Sequence, residues 1–336
     1  MSETAVDCER QPQITVLIAT CDRPESLARA LRSVLAVSYP RFDIIVVDNA
    51  VRGEQTPEML TRQFCGQDAI QYVRERRPGL ARAHNAGLHL VHSPIVAITD
   101  DDVLVDPSWL DHIAAAFATA PEVMCVTGMI MAAELETPAQ QWVERHLGFA
   151  KGTERRAFDL GKNRPADRLF PYTAGQLGSG ANMSFRTTFL KEIGGFDPAL
   201  GAGSTARGGD DLAAFYSVIV RGHRLVYEPA AIVRHHHHRT YEQLNRQVRG
   251  YGVGLGAFLT KVVLEHPAAV PALAVRIGPG IRHMRTMRRP GHASATAEFD
   301  RRFSQLRRAE RLSTLAGPWA YLRSRRQVRR QLGTSA

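Results

Sequence analysis

The amino-acid sequence predicts an α/β fold in which a mostly parallel sheet is flanked by helices. Short apolar segments alternate with helical patterns over residues 14–99, at the spacing of β-α-β units. These segments are almost continuously apolar, as in strands with both faces buried. Two of them end in carboxylates, Asp48 and Asp100. Because ligands bind beyond the carboxyl ends of such strands, we expect a ligand site there.

Periodicity defines the elements of this first part in order. A strand over 14–19 is followed by a helix over 25–37 with apolar residues at helical spacing, which Pro24 begins. The other predicted elements are strands over 42–48, 70–73 and 95–99 and a helix over 80–91.

The pattern changes after Met131. Residues 132–176 are polar, charged and weakly periodic, so we interpret them as an insertion or lid beside the site. Regular patterns then return. They predict strands over 181–185, 224–227 and 231–234 and helices over 187–193, 210–220 and 241–264.

Composition excludes several classes of protein. The 336 residues suffice for one large α/β domain with an appendage. The four cysteines form no C-x-x-C pair, which argues against a disulfide framework or a zinc site and fits a reducing compartment. Residues 1–13 lack the features of a signal peptide, and no apolar run approaches the ~20 residues that span a bilayer. We therefore expect a cytoplasmic protein.

Charge is distributed unevenly along the chain. Residues 1–250 carry a formal charge of −2, whereas residues 251–336 carry +12, so the overall +10 belongs to the C-terminal part. A basic segment of this kind suggests an anionic membrane surface, nucleic acid or an acidic partner. The segment has few aromatics for base stacking, so we expect no specific nucleic acid partner.

Three consecutive carboxylates, Asp100, Asp101 and Asp102, follow the predicted strand over 95–99. In an extended chain Asp100 and Asp102 point the same way. Two such oxygen donors can share Mg²⁺ or Mn²⁺, which usually completes its shell with substrate phosphates. The alternative is an acidic turn that caps the next helix. A cap needs one aspartate rather than three, so the pattern favours a metal site.

Seven motifs occur in one order along residues 12–240, and together they resemble the family 2 glycosyltransferases. That family has the GT-A fold and uses nucleoside-diphosphate sugars. Each motif is weak alone, but their order and spacing are specific. The motifs are T-C-D-R-P at 20–24, V-V-D-N at 46–49, G-L-A-R-A-H-N-A-G at 79–87, D-D-D at 100–102, G-A-N-M-S-F-R at 180–186, G-G-F-D at 194–197 and G-D-D-L at 209–212.

The resemblance implies a donor site at the start of the chain. In the family, the loop after the first strand and the acid that ends the second strand hold the nucleobase and ribose. These positions are Thr20, Asp22 and Asp48 here. The family commonly has two acids at the second position, whereas this chain has Asp48-Asn49.

The segment that begins at Gly79 is similar to the family's nucleotide-binding loop and helix. Gly79 would let the backbone approach the ligand. Arg82 could face a phosphate or a base, although a helical arginine is most often solvated. Asn85 belongs to the same predicted nucleotide-binding segment.

The aspartate triplet is similar to the family's DxD element. By resemblance, Asp100 and Asp101 lie on the donor side and Asp102 binds the metal. His235 and His237 follow a predicted strand, where related transferases have a histidine that completes the metal or diphosphate site. Imidazole is an acceptable ligand for Mn²⁺. The alternative is a run of surface histidines; between the two, we favour His235.

Asp210 and Asp211 are similar to the family's Glu-Asp pair, with Asp210 in place of glutamate. By resemblance, Asp211 is the catalytic base that removes the acceptor proton. The alternative is a pair of acids at a helix N-terminus, and both roles can coexist. Asn182 lies in the stretch that resembles the acceptor side.

These observations predict a GT-A-type, metal-dependent, inverting glycosyltransferase that moves a sugar from a nucleoside-diphosphate sugar to a hydroxyl acceptor. That acceptor could be a glycan, a lipid-linked molecule or a small molecule. Two alternatives remain, a sugar-nucleotide pyrophosphorylase and a nucleic-acid-binding protein. The predicted segments are a flexible N-terminus over 1–12, a catalytic domain over 13–240 and a basic helical extension over 241–336. The extension adds the hypothesis of peripheral binding to the inner face of the plasma membrane.

Overall fold

The first half of the sheet is parallel, as the sequence predicts. The computed structural model describes residues 11–49, 53–147, 149–268, 270–271, 275 and 297–333. Four strands lie in the order β3-β2-β1-β4, and the three pairings among them are parallel. They are β1 (Ile14–Thr20), β2 (Phe42–Asp48), β3 (Ile70–Arg74) and β4 (Ile95–Asp100).

Helices connect these strands. Pro24 occupies the first turn of α1 (Pro24–Leu35), where its missing N–H costs no hydrogen bond. The second helix, α2 (Gln55–Phe64), was not predicted, because it buries only Thr56, Met59 and Phe64 and so has a weak apolar pattern. The next two helices are α3 (Leu80–Leu90) and α4 (Trp109–Phe117).

The second half of the sheet is mixed. Strand β8 (Asn182–Arg186) runs antiparallel between β4 and β6 (Val123–Ala132). Strand β9 (Arg224–His235) is parallel to β6 and antiparallel to β5 (Val103–Val105) and β7 (Arg156–Phe158). The two strands predicted over 224–227 and 231–234 form this single strand. A register shift opposite Gly128 and Met129 interrupts its apolar pattern.

Two hydrophobic clusters cover the two faces of the sheet. One contains Leu17, Val47 and Ile98 and packs against α3 and α7 (Asp210–Val220). The other contains Val16, Val46 and Ala97 and packs against α1 and α4. Neighbouring residues of one strand enter opposite clusters because successive side chains point to opposite faces.

The predicted insertion contains structure of its own. Its helix α5 (Pro138–His146) begins with a capping box, in which Thr137 and Gln140 exchange side-chain to backbone hydrogen bonds. Strand β7 joins this segment to the main sheet, and a 3₁₀ turn follows at Ala174–Gln176. A short helix, α6 (Thr187–Glu192), follows β8.

The C-terminal part packs through glycines. Helix α8 (Tyr241–Glu265) contacts α9 (Ala297–Thr314) and α10 (Gly317–Gly333). A Cβ atom on Gly252 would lie 2.1 Å from the carbonyl oxygen of Glu310, and one on Gly256 would lie 2.1 Å from that of Thr314. The glycine interruptions in the sequence of α8 therefore correspond to backbone contacts.

Among the described helices, none has the length and apolar character required to cross a bilayer. The predicted flexible N-terminus over 1–12 lies outside the described residues apart from positions 11 and 12. The tail arginines at 282, 285, 288 and 289 also lie outside the described residues.

Candidate active site

The carboxyl ends of three parallel strands meet at one edge of the sheet. Thr20 at the end of β1 is in register with Asp48 of β2, and Ala19 is in register with Asp100 of β4. The sequence predicted this convergence, because parallel strands end at the same edge.

Two carboxylates and an imidazole form a cluster at this edge. One ligand atom from each of Asp100, Asp102 and His235 lies within 4.8 Å of the others. His235 Nε2 is 3.3 Å from Asp102 Oδ1. The pairing of Val103 in β5 with His235 in β9 brings the histidine to the aspartates.

The cluster fits a divalent cation. Asp102 Oδ1 is buried and accepts no hydrogen bond from the described part of the chain. Burial and the neighbouring carboxylates raise the pKa of Asp100, so a positive ion there would relieve a real repulsion. Burial lowers the pKa of His235 to about 4, which keeps the imidazole neutral and able to coordinate metal. This set of ligands suits Mn²⁺ and can accept Mg²⁺.

His237 lies behind His235 rather than in the cluster. The two Nδ1 atoms are 3.0 Å apart, and His237 Nε2 is 3.6 Å from Glu144 Oε2. If His235 Nε2 coordinates metal, its Nδ1 must carry the proton that it donates to His237. His237 then orients the ligand, as outer residues commonly do around metal sites. We expected His237 to bind metal directly, and this geometry corrects that expectation.

Asp101 faces the protein interior. Its Oδ2 accepts a 2.6 Å hydrogen bond from the Thr20 hydroxyl, and its Oδ1 is 3.2 Å from Arg23 Nη1. Burial raises the pKa of Asp101 to about 6. Arg23 also contacts Asp102, so it ties the loop after β1 to the triplet. Thr20 and Asp101 hydrogen bond to each other, and their contact with the donor stays a prediction. Arg23 was not among the predicted site residues.

The predicted nucleoside side contains Asp48 and Asp22. Asp48 is fully buried at the end of β2 and accepts a 2.9 Å hydrogen bond from the Tyr72 hydroxyl. Asp22 is exposed after β1, with a positive φ of 55°. Asn49 next to Asp48 organises this region. Its amide donates to the carbonyl oxygen of Arg77 at 2.9 Å and accepts from the Gly79 N–H at 2.8 Å.

The segment after Gly79 contributes unevenly. Gly79 precedes α3 with φ of 133°, a conformation that favours glycine. Arg82 donates to Gln331 of α10 at 2.5 Å. Asn85 forms two 2.8 Å hydrogen bonds with the backbone of Phe196, one as donor and one as acceptor. The structure therefore gives Asn85 a structural role, which corrects the prediction that it binds nucleotide.

His84, which was not among the predicted site residues, lines a cavity of about 1060 Å³. The side chain is buried, and neither ring nitrogen has a hydrogen-bond partner among the described residues. Burial lowers its pKa to about 4, so the imidazole is neutral. Its ring lies 5.0 Å from that of Phe196. A buried, unpaired imidazole beside a cavity is available to hydrogen bond with a ligand.

Asp211 faces the same cavity at the start of α7. Its Oδ2 accepts from the Gly180 N–H at 3.1 Å and its Oδ1 from the Leu212 N–H at 2.8 Å. Burial raises the pKa of Asp211, and these backbone donors oppose the rise. Asp210 is more deeply buried, and its pKa is raised by burial and by the charge of Asp211.

Helix α8 supports the loop that presents Asp211. A Cβ atom on Gly254 would lie 2.8 Å from the backbone of Gly208, so the helix and the loop touch directly. Gly209 caps α7 with φ of 89°, which favours glycine. The glycines before Asp210 thus have a positional role.

Lys151 and Tyr251 also lie beside Asp211, and the sequence predicted neither. Burial lowers the pKa of Lys151 to about 8, and the nearby Asp211 opposes that effect. Tyr251 is 37% exposed at the cavity, and partial desolvation and the charges of Asp211, Asp100 and Asp102 raise its pKa. Tyr251 is therefore close both to the predicted base and to the metal-capable cluster.

Asn182 does not reach the cavity. Its Oδ1 accepts a 3.0 Å hydrogen bond from Trp109 Nε1, and its Nδ2 donates to the carbonyl oxygens of Met129 and Ala231 at 3.0 and 2.9 Å. Both amide hydrogens and one oxygen lone pair are used inside the protein, between β8, α4 and the β6–β9 pair. Asn182 is therefore structural, which corrects its predicted role at the acceptor side.

The cavity of about 1060 Å³ joins the metal-capable cluster to the predicted catalytic base. Its wall includes Asp100, from the metal-capable cluster, and Asp211, the predicted base. His84, Lys151 and Tyr251 line the same space. The two acidic groups therefore share a cleft, which a transfer between a metal-bound donor and an activated acceptor requires.

Comparison with known proteins agrees with this geometry. The model of the family "Glycosyltransferase like family 2" matches residues 12–252. A pre-mycofactocin glycosyltransferase of Mycobacterium tuberculosis is 24% identical over 224 residues, which cover 67% of this chain and 43% of that protein. A glucosyl-dolichyl phosphate glucuronosyltransferase of Haloferax volcanii is 22% identical over 240 residues, which cover 66% of this chain and 69% of that protein.

The fold is also found among solved structures. A mannosyltransferase from Pyrobaculum calidifontis, solved with GDP-Man and Mn²⁺, matches with a TM-score of 0.60 at 18% identity. The match covers 92% of this chain and 88% of that one. The predicted GT-A-type α/β fold is thereby confirmed. The chain belongs to glycosyltransferase-like family 2.

Proposed function

We propose that this protein is a metal-dependent, inverting glycosyltransferase that uses a nucleoside-diphosphate sugar and a hydroxyl acceptor. The observation that carries the proposal is the shared cavity, whose wall includes Asp100 of the metal-capable cluster and Asp211. Family membership and relatives named as glycosyltransferases support it. The pyrophosphorylase alternative receives no such support.

The acidic pair Asp210 and Asp211 carries the proton transfer of the proposed reaction. Asp211 accepts the proton of the acceptor hydroxyl while the acceptor oxygen forms a bond to the anomeric carbon. The bond from that carbon to the diphosphate oxygen breaks, and the nucleoside diphosphate leaves with the electron pair. Attack opposite the leaving group inverts the anomeric centre. Asp210 is next to Asp211, and burial together with the charge of Asp211 raises the pKa of Asp210 to about 7, so the second carboxyl group of the pair can also exchange a proton near neutral pH.

Asp100, Asp102 and His235 would hold Mg²⁺ or Mn²⁺. Bound there, the cation supplies Lewis-acid stabilisation of the departing diphosphate. In the proposed donor site, the exposed Asp22 contacts the nucleoside and the buried Asp48 supports this side through its hydrogen bond with Tyr72. The backbone at Gly79 and the Arg82 side chain lie near the phosphates. His84 donates a hydrogen bond to the donor sugar.

A panel of sugar nucleotides tests the proposal. Each is incubated with the protein and Mn²⁺ or Mg²⁺, and release of nucleoside diphosphate is measured. We expect metal-dependent hydrolysis of at least one donor, since water can replace the acceptor. Absence of hydrolysis and of binding for every donor, with either metal, would contradict the proposal.

Removing the charge of Lys151 is expected to shift the pH dependence of turnover. The ammonium favours the charged form of Asp211, so Lys151→Gln raises the pKa of Asp211 further. The base is then protonated up to a higher pH, and the acidic limb of the kcat profile moves to higher pH. We expect turnover at pH 6 to fall several-fold relative to turnover at pH 8.

The exposed Lys162 lies in the same insertion, and Lys162→Gln serves as a control with an unchanged profile. Superimposable profiles for Lys151→Gln and the unaltered chain would exclude this influence of Lys151 on the base.

We also propose that α9 and α10 bind an anionic membrane surface on the cytoplasmic side. Four apolar side chains around the junction of these helices, Leu312, Leu315, Trp319 and Leu322, are 44–78% exposed. Arginines flank this apolar patch, and Arg323 stacks on Trp319 at 5.0 Å. We expect co-sedimentation with vesicles that contain phosphatidylserine and less with phosphatidylcholine vesicles. Equal sedimentation with both vesicles would contradict an electrostatic contribution.

A further inference from the structure

An apolar stripe of helix α8 lines the active-site cavity, and two of its residues, Leu259 and Val263, also pack against the core. Tyr251, Leu255, Leu259 and Val263 recur at intervals of four residues and all line the cavity. Residues between them, such as Phe258 and Val262, are buried in the core. The stripe is therefore a second apolar face of α8, and the described protein leaves part of it uncovered.

Much of the remaining cavity wall is also apolar. Its apolar side chains come from the 132–176 segment and from the junction of α9 and α10. The hydroxyls of Thr260 and Thr314 in this region are used within their own helices, as donors to the carbonyl oxygens of Gly256 and Glu310. The apolar members of this wall are Leu147, Phe149, Leu169, Tyr172, Leu315 and Pro318.

The stripe has a catalytic end and a distal end. Tyr251 lies close to Asp211, Asp100 and Asp102, whereas Val263 is three helical turns further along α8. At 1.5 Å per residue, the stripe extends about 18 Å away from the reacting groups. Leu315, which belongs to the exposed apolar patch of α9 and α10, also lines the cavity, and its neighbour Thr314 lies against Gly256 beside the middle of the stripe.

We propose that the acceptor is an amphiphile whose hydroxyl lies at Asp211 and whose apolar chain lies along the α8 stripe. This inference rests on the proposed glycosyltransferase function and specifies its acceptor class. A purely hydrophilic glycan would leave most of these walls without partners, whereas an apolar chain buries them.

Binding of alkyl glucosides tests the proposal independently of catalysis. The affinities of methyl, octyl and dodecyl β-glucoside are measured by calorimetry below their micelle concentrations. We expect saturable binding of one dodecyl β-glucoside per chain. The Kd should fall about four-fold for each methylene that enters the cavity. Equal weak binding of the three compounds would overturn the proposal.

Three variants locate the bound chain. Leu255 lies on the stripe, Leu264 is an exposed leucine of the same helix outside the cavity, and Leu322 lies on the outer patch. We expect Leu255→Gln to weaken binding of dodecyl β-glucoside about ten-fold and Leu264→Gln and Leu322→Gln to have no effect. Weakening by Leu322→Gln but not by Leu255→Gln would place the chain on the outer patch and overturn the proposal.

Turnover then connects the bound chain to the acceptor site. The donor is a sugar nucleotide that the protein hydrolyses in the presence of Mn²⁺. Consumption of this donor should rise with the alkyl length of the acceptor. The acceptor is offered in two arms, as a free alkyl glucoside and as the same head group on a lipid anchored in vesicles. The faster arm identifies a soluble or a membrane source. Donor hydrolysis that no chain-bearing acceptor stimulates would overturn the inference and leave the proposed function standing. Failure of donor hydrolysis itself would instead contradict the proposed function.

Discussion

Replacing Asp211 by asparagine is expected to abolish sugar transfer while donor binding persists. The amide keeps the size of the side chain but cannot accept the acceptor proton at neutral pH. Because general base catalysis contributes ~10²–10⁴-fold, we expect kcat to fall by that order. The donor should still bind, since the metal-capable cluster is unchanged. Sugar transfer is measured by product formation. Donor binding is measured by calorimetry in the presence of Mn²⁺.

Asp210→Asn provides the comparison within the acidic pair. Asp210 lines the same cavity but is more deeply buried than Asp211, so its replacement should reduce kcat less. Asp68→Asn, at an exposed site far from the cavity, should have no effect. Full transfer by Asp211→Asn, together with complete loss in Asp210→Asn, would assign the base to Asp210.

Replacing Asp102 by alanine is expected to remove metal-dependent turnover. Its Oδ1 is the buried acceptor without a hydrogen-bond donor among the described residues, and it lies next to His235. Lewis-acid stabilisation contributes several kcal/mol to the transition state, so kcat should fall on the order of 10³-fold. Stimulation by Mn²⁺ should disappear with it, which a metal titration of donor hydrolysis measures.

Asp106→Asn is the matched control for charge near the cluster. Asp106 follows β5 and accepts hydrogen bonds from Ser108 rather than facing the cluster. This variant should respond to Mn²⁺ as the unaltered chain does. An Asp102→Ala protein that keeps its stimulation by Mn²⁺ would show that the productive cation binds elsewhere.

Local patterns in the sequence sufficed for the first half of the sheet. Strands β1 to β4 lie within one residue of their predicted bounds, because continuous apolar runs are local signals. Helix α7 matches its predicted bounds as well, because a glycine followed by acids is a local signal of a helix start. The grouping of Asp100 and Asp102 with His235 follows from the resemblance, since it depends on β9 pairing with β5.

The roles of several polar residues could not be predicted. Asn182 and Asn85 lie in motifs that resemble ligand-binding segments, yet their amides satisfy backbone groups of distant elements. Sequence pattern does not distinguish an amide that binds a ligand from one that binds a buried carbonyl. Lys151 was missed for a related reason, because its weakly periodic segment gave no indication of which side chains turn inwards.

The proposed chemistry depends on one divalent cation held by Asp100, Asp102 and His235 at the end of β4. Electron paramagnetic resonance of Mn²⁺ tests it directly, because bound Mn²⁺ loses the sharp signal of the free ion. We expect one bound Mn²⁺ per chain, with tighter binding when nucleoside diphosphate is present and loss of binding in Asp102→Ala. Mn²⁺ binding of equal strength in Asp102→Ala and the unaltered chain would contradict it.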